Sequence, residues 1–123
     1  MIATAEAAIQ RQLTKAFIEA DVLPVVLVRS TWTSDGGGGS VKGDPLPLAP
    51  QRMRLIPLGD GAQERFDANG ESVRPSYKLL GLYDADMERF DEFVLNGSRY
   101  EIVFVTENRQ YETKGEVAYR GGV

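Results

Sequence analysis

Cysteine and histidine are both missing from the 123 residues of the chain. Without cysteine there can be no disulfide, thiolate nucleophile, zinc finger or iron–sulfur cluster. Without histidine the commonest general base, the commonest metal ligand and the usual near-neutral pH switch are gone. Those two absences remove most catalytic constellations before any motif is sought. Long hydrophobic runs are lacking too. The longest, Val22 to Val28, is broken by Pro24 and closed by Arg29, far short of the roughly 18 apolar residues a membrane helix needs. Met1-Ile2-Ala3-Thr4-Ala5-Glu6 shows no basic stretch leading into an apolar block, so no secretory signal is expected. A surplus of positive charge is also absent. Fourteen Lys+Arg stand against 18 Asp+Glu, a net charge of −4, whereas nucleic-acid binders usually carry a basic face.

What is present is ordinary for one globular domain spanning residues 1–123. The chain is 42% hydrophobic and 26% charged, and this length suits a single modest core. Its 13 glycines and 6 prolines gather in two stretches and mark them as loops. Residues 3–20 have helical periodicity: Ala5, Ile9, Leu13 and Phe17 recur every four residues, with Ala16 and Ala20 beside them. Thr4 is the candidate N-cap and Glu6 sits where the helix dipole favours an acid. The apolar stripe is expected to pack on the chain's own core.

After Asp21 the pattern is strand and loop, with strands expected at 25–33, 52–58, 77–83, 90–95, 98–105 and 110–120. Two long loops interrupt them, 35–50 and 59–76. Asn96-Gly97 is a strong hairpin signal, because both central residues of a type I′ turn need positive φ. A two-residue turn then sets Leu95 opposite Ser98, Val94 opposite Arg99, Phe93 opposite Tyr100 and Asp91 opposite Ile102. Phe93, Leu95, Tyr100, Ile102 and Phe104 are thereby expected on the core face. Glu92 falls opposite Glu101, and like charges there call for a nearby cation: Arg99, Lys114 or a neighbouring chain. From Gln110 to Arg120 residues alternate, with Tyr111, Thr113, Gly115, Val117 and Tyr119 pointing one way. The expected fold is mainly β: a small antiparallel barrel or sandwich with one N-terminal amphipathic helix and two long loops.

Motifs that would carry chemistry are weak. Gly36-Gly37-Gly38-Gly39 resembles a phosphate loop only superficially, since Ser40-Val41-Lys42 and prolines follow and no helix can begin there. Asp84, Asp86, Glu88, Asp91 and Glu92 form one acidic patch. It lacks the order of a calcium loop and reads as a solvated connection. Asn96-Gly97-Ser98 matches a glycosylation sequon but reads as a turn. Hydroxyls have no histidine to activate them. No enzyme, cofactor or metal site is expected. Arg52, Arg54, Arg65, Arg74 and Lys78, interleaved with Phe66 and Tyr77, keep a single-stranded nucleic-acid module as a distant alternative.

Several segments resemble one family. Asp91 to Val105, continuing through Tyr111 to Tyr119, is similar to the C-terminal half of head-completion proteins of long-tailed phages, the head-to-tail stoppers. Ala8 to Asp21, the Gly/Pro loop and Pro50 to Pro57 resemble the same group. The resemblance implies a small β-barrel with an appended helix, made in the host cytoplasm and built into the neck of the virion. Copies would form a ring, hexameric by preference and dodecameric as the alternative, with portal and adaptor above and tail terminator below. Packaged double-stranded DNA would pass through without sequence-specific binding, and no membrane is involved. On this reading Asp35, Gly36, Gly37, Gly38, Gly39, Ser40, Val41, Lys42, Gly43 and Asp44 belong to the channel or plug loop. Asp60, Arg65, Phe66, Asn69 and Arg74 lie on the second projecting loop. Glu92, Arg99, Glu101 and Lys114 are subunit-contact candidates. A tail terminator or an adaptor of the same connector is the nearer alternative.

Overall fold

The computed structural model describes residues 4–34, 36–59, 62–106 and 111–122. A helix, α1 (Thr4–Glu19), precedes ten strands: β1 (Leu23–Val25), β2 (Val28–Ser34), β3 (Ser40–Pro47), β4 (Gln51–Pro57), β5 (Arg65–Phe66), β6 (Ser72–Val73), β7 (Tyr77–Leu82), β8 (Glu92–Leu95), β9 (Ser98–Val105) and β10 (Glu112–Gly122). Eight strands form one antiparallel sheet in the order β1-β4-β7-β10-β9-β8-β2-β3, curled into a half-barrel. Strands β5 and β6 make a separate small hairpin. The expected mainly-β class is what the chain adopts.

The inner face of the curl holds the core, built from Val25, Leu27, Met53, Leu79, Met87, Phe93, Tyr100, Ile102 and Val117. Phe93 stacks on Tyr100 with centroids 5.2 Å apart, and Tyr77 meets Tyr100 edge-on at 5.8 Å. Each such side chain contributes about 1.5–3 kcal/mol by leaving water. The β8–β9 hairpin has the expected register, Leu95↔Ser98 through Glu92↔Glu101. Asn96 and Gly97 both have positive φ, 50° and 78°, as a type I′ turn requires.

Several expectations need correction. The strand placed at 25–33 is two strands, β1 and β2, which lie far apart in the sheet order. Phe104 is not on the core face. Against β10, Phe104 pairs with Glu116 but Ile102 pairs with Val117, so Val103 is a bulge. One extra residue reverses the alternation, and Val105 packs on the core instead, while Phe104 lies beneath the Arg65 guanidinium at 3.7 Å. In β10 the alternation holds through Thr113, Gly115 and Val117, all buried, but Tyr119 is exposed.

A further correction concerns α1. It lies over β4 and β7, yet the residues it buries are Thr14 and Ile18. Ile9, Leu13 and Phe17 remain 57%, 60% and 46% exposed. Cationic contacts set the roll of the helix: Arg52 pairs with Glu19, Arg54 Nη1 donates to the Phe17 carbonyl at 2.9 Å, and Arg11 sits 3.7 Å over the Tyr83 ring. These contacts satisfy orphan carbonyl and acidic groups at the helix end, and they turn Ile18 inward at the expense of the stripe.

Another is the loop at 35–50, half of which is β3. Proline is tolerated on an edge strand, where a missing N–H interrupts no ladder, and β3 is the edge of the sheet. Pro45 and Pro47 stand opposite Ser30 and Val28. The loop at 59–76 likewise contains the short β5–β6 hairpin.

Candidate functional site

Strands β2 and β3 form a two-stranded ribbon that leaves the sheet. Strand β2 meets β8 only at Val28↔Glu92, whereas its pairing with β3 runs from Val28↔Pro47 to Ser34↔Ser40. Along β3, Val41, Lys42 and Asp44 to Pro47 are all exposed, so solvent reaches both faces. The sequence-predicted channel loop is therefore a structured ribbon with a glycine tip, Gly36 to Gly39. Gly36 and Gly38 have φ of 82° and 89°, a left-handed backbone that only glycine adopts without strain. Asp35 lies outside the described residues. Gly43 is required for a different reason: a Cβ there would overlap Thr31 Oγ1, because Thr31 alone faces both Gly43 and Asp44 at a bulge.

The second predicted loop folds back onto the barrel. Arg65 donates to both oxygens of Glu116, at 3.1 and 2.9 Å. The Asp67 carboxylate is buried and accepts from the backbone N–H groups of Asn69 and Glu71, each at 2.9 Å, and from Arg120 at 3.0 Å. Phe66 and Arg74 are exposed, and Asp60 lies outside the described residues.

Between the β5–β6 hairpin and the outer face of the sheet lies a cleft of about 280 Å³. Ser30, Lys42, Asn69, Glu92, Arg99, Glu101 and Arg120 line it. It thus brings together Lys42 of the first predicted loop, Asn69 of the second and three of the four subunit-contact candidates. Lys114 does not join them; it pairs with Glu112 at 3.3 Å. The juxtaposed Glu92 and Glu101 do have cations nearby, but not the expected ones. Lys42 pairs with Glu92 at 3.3 Å and Arg120 with Glu101 at 3.6 Å, while Arg99 donates to the Arg120 carbonyl at 3.2 Å. Burial pushes the Glu101 carboxyl above the usual range, opposed by the Ala68 N–H at 2.9 Å and by Arg120. The result is a ladder of charge from β3 across β8 and β9 to β10, with Lys42 and Arg120 at its ends and the two acids between them, which ties the base of the ribbon to the barrel.

The acidic patch has a specific occupant. Arg29 of β2 donates to both Asp91 oxygens, at 3.0 and 2.8 Å, to Asp86 at 2.9 Å, and lies 3.1 Å from Glu88. Asp91 is buried and also accepts from the Glu88 N–H at 2.8 Å. Hydrogen bonding to Asp91 and Asp86 raises the Arg29 pKa further above its already high value. The patch is an arginine clamp rather than a solvated connection.

Arg29, Asp67 and Arg120 were not singled out from sequence. Asp67-Ala68-Asn69-Gly70 did carry a signal, since aspartate often caps its own turn. Arg120 belonged to the outward set of an alternating strand, and Arg29 had no local signal at all. No protein-family model matches the chain, and no curated protein matches it. Among the described residues no helix is long and apolar enough to cross a membrane.

Proposed function

We propose that this chain is a structural, non-catalytic component of a tailed-phage neck, a head-to-tail stopper whose copies form a ring around the DNA channel. The observation that carries the reading is the glycine-tipped β2–β3 ribbon on a small half-barrel. A gate needs a reach longer than a turn and a tip that can change shape, and glycine at Gly36 to Gly39 supplies the second. The charge ladder and the Arg29 clamp supply a fixed base for the first. Net charge supports the same reading: −4 per chain, repeated around a ring, lets DNA slide without being gripped. Portal and adaptor above, tail terminator below and location in the virion follow from the same proposal. The single-stranded nucleic-acid module is disfavoured because Phe93 and Tyr100, which would stack on bases, are buried in the core.

A chain without cysteine allows a clean test. Gly37→Cys introduces the only thiol, to which a gold cluster is coupled before the purified protein is imaged as single particles. Rings with gold at the axis are expected. Gold at the outer rim, or a chain that never assembles, would overturn the proposal.

A further inference from the structure

The cleft on the outer face holds three cations and two acids, and their pairing is incomplete. Arg120 is taken by the buried Asp67 at 3.0 Å and Lys42 by Glu92 at 3.3 Å. Two groups are left over, Glu101 and Arg99. Glu101 is only 6% exposed, and its Oε2 accepts from the Ala68 N–H. Its Oε1 accepts no hydrogen bond among the described residues, and Arg120 Nε stands 3.6 Å from it, beyond hydrogen-bond length. Among the described residues no buried side-chain N or O is sealed away without a hydrogen bond. This oxygen therefore opens into the cleft that Glu101 lines. A desolvated carboxylate oxygen in that position calls for a cationic donor.

Arg99 is the converse case. Its Nη2 donates to the Arg120 carbonyl at 3.2 Å, but among the described residues it enters no ion pair. A guanidinium has five N–H donors, so most of them remain. Positions 99 and 101 share one face of β9, with Cα atoms about 6.7 Å apart. Both side chains line the cleft without pairing with each other.

A second cavity of about 200 Å³ adjoins the first. Strand β8 meets β2 only at Val28↔Glu92, and the strands part beyond that bridge. Val28, Phe93 and Val94 give this cavity an apolar wall, and it shares Glu92 and Arg99 with the cleft. An apolar hollow with a few convergent charged groups beside it is the usual form of a small-molecule site.

Charge balance selects the ligand. An anion alone would answer Arg99 and face Glu101; a cation alone would do the reverse. A molecule with both charges answers both and leaves the net charge of the cleft unchanged. We propose that this groove binds a small zwitterion, an α-amino acid with an aliphatic side chain. Its ammonium group sits on Glu101 Oε1, its carboxylate on Arg99 and its side chain between Val28 and Val94. These residues belong to one chain, so the site does not depend on the ring.

Binding carries a proton signature. Burial holds the Glu101 carboxyl above the usual glutamate range, opposed by the Ala68 N–H and Arg120 and helped by Asp67 and Glu92. Lys42 and Arg99 complete the charged groups around the cleft. An ammonium ion favours the carboxylate, so binding releases a proton and tightens as pH rises.

Titration of the purified protein with L-leucine, followed by amide NMR shifts, tests this. A Kd of about 1 mM is expected for so small a ligand in an open site, with the largest shifts at Glu92, Arg99 and Glu101. Isocaproate lacks the ammonium, isopentylamine the carboxylate and glycine the side chain; each should bind at least about tenfold more weakly. Glu101→Gln and Arg99→Gln should each lose about tenfold in affinity. Glu101→Gln should also lose the tightening between pH 4 and 7. Arg99 is exposed, so its variant keeps the fold. The absence of saturable shifts with leucine would overturn the proposal. So would an analogue that binds as tightly as leucine, or variants that bind like the parent. A monomer that binds leucine loses the ring and keeps this site; a ring that ignores leucine does the reverse.

Discussion

At Asp91 one carboxylate serves three donors: Arg29 Nε, Arg29 Nη2 and the Glu88 N–H. Asp91→Asn keeps the shape but turns an NH₂ toward one of those donors. Removing one partner of a buried pair costs several kcal/mol, but Arg29 retains Asp86 and Glu88, so a loss of about 2 kcal/mol is expected in urea unfolding. Glu101 behaves in the opposite sense. Burial is the main cause of its raised pKa, with Asp67 and Glu92 adding to it and the Ala68 N–H and Arg120 opposing. The folded state thus holds a proton that the unfolded state has released. Stability from this group is full below the ordinary glutamate range and is lost as pH climbs through the raised value. Glu101→Gln cannot titrate, so stability of the parent relative to this variant should fall as pH rises from 4 toward 7. A difference that grows in the parent's favour would refute this account. Neither residue was legible as a structural anchor: Asp91 looked like one acid in a row of acids, and its partner lies 62 positions away in sequence.

Elements whose rules are local were legible, and elements decided by a neighbour were not. The β8–β9 hairpin follows from Asn96-Gly97 and period-two alternation, and its register is as the turn dictates. Helix α1 follows from its periodicity, but the face it buries was decided by Arg52 and Arg54 of β4, which no helical pattern encodes. The same holds for the bulge at Val103, set by pairing with β10. Strand β3 was hidden because Gly43, Pro45 and Pro47 read as breakers; each is compatible with an edge strand, and Gly43 is demanded by Thr31. Gly43→Ala is therefore expected to push Thr31 aside and loosen the ribbon. Amide exchange at Trp32 and Lys42 should quicken by about tenfold, while the midpoint of global unfolding moves by less than about 1 kcal/mol, since the ribbon lies outside the core. Equal loss of protection across β7, β9 and β10 would mean instead that the ribbon is part of the cooperative unit.

For the molecule as a whole, the placement of charge matters more than its total. At least six cations, Arg29, Lys42, Arg52, Arg65, Lys114 and Arg120, are held in ion pairs within the chain. A cation already paired releases no further counterion when a phosphate approaches, so it adds little to the salt-dependent attraction that dominates DNA binding. The acidic excess is left outside, and assembly multiplies it. The purified protein is expected to bind duplex DNA more weakly than about 10⁻⁴ M near 0.15 M salt, at or beyond the weak end of ordinary non-specific binding. Electrophoretic mobility of a long duplex should stay unchanged at about 10 μM protein, well below that Kd. Lowering the salt should not rescue binding, because weaker screening strengthens the repulsion between the acidic excess and the duplex as well. Micromolar binding with a steep salt slope would mean that cations outside these pairs form a continuous track, and a neck component that lets DNA slide would no longer describe this molecule.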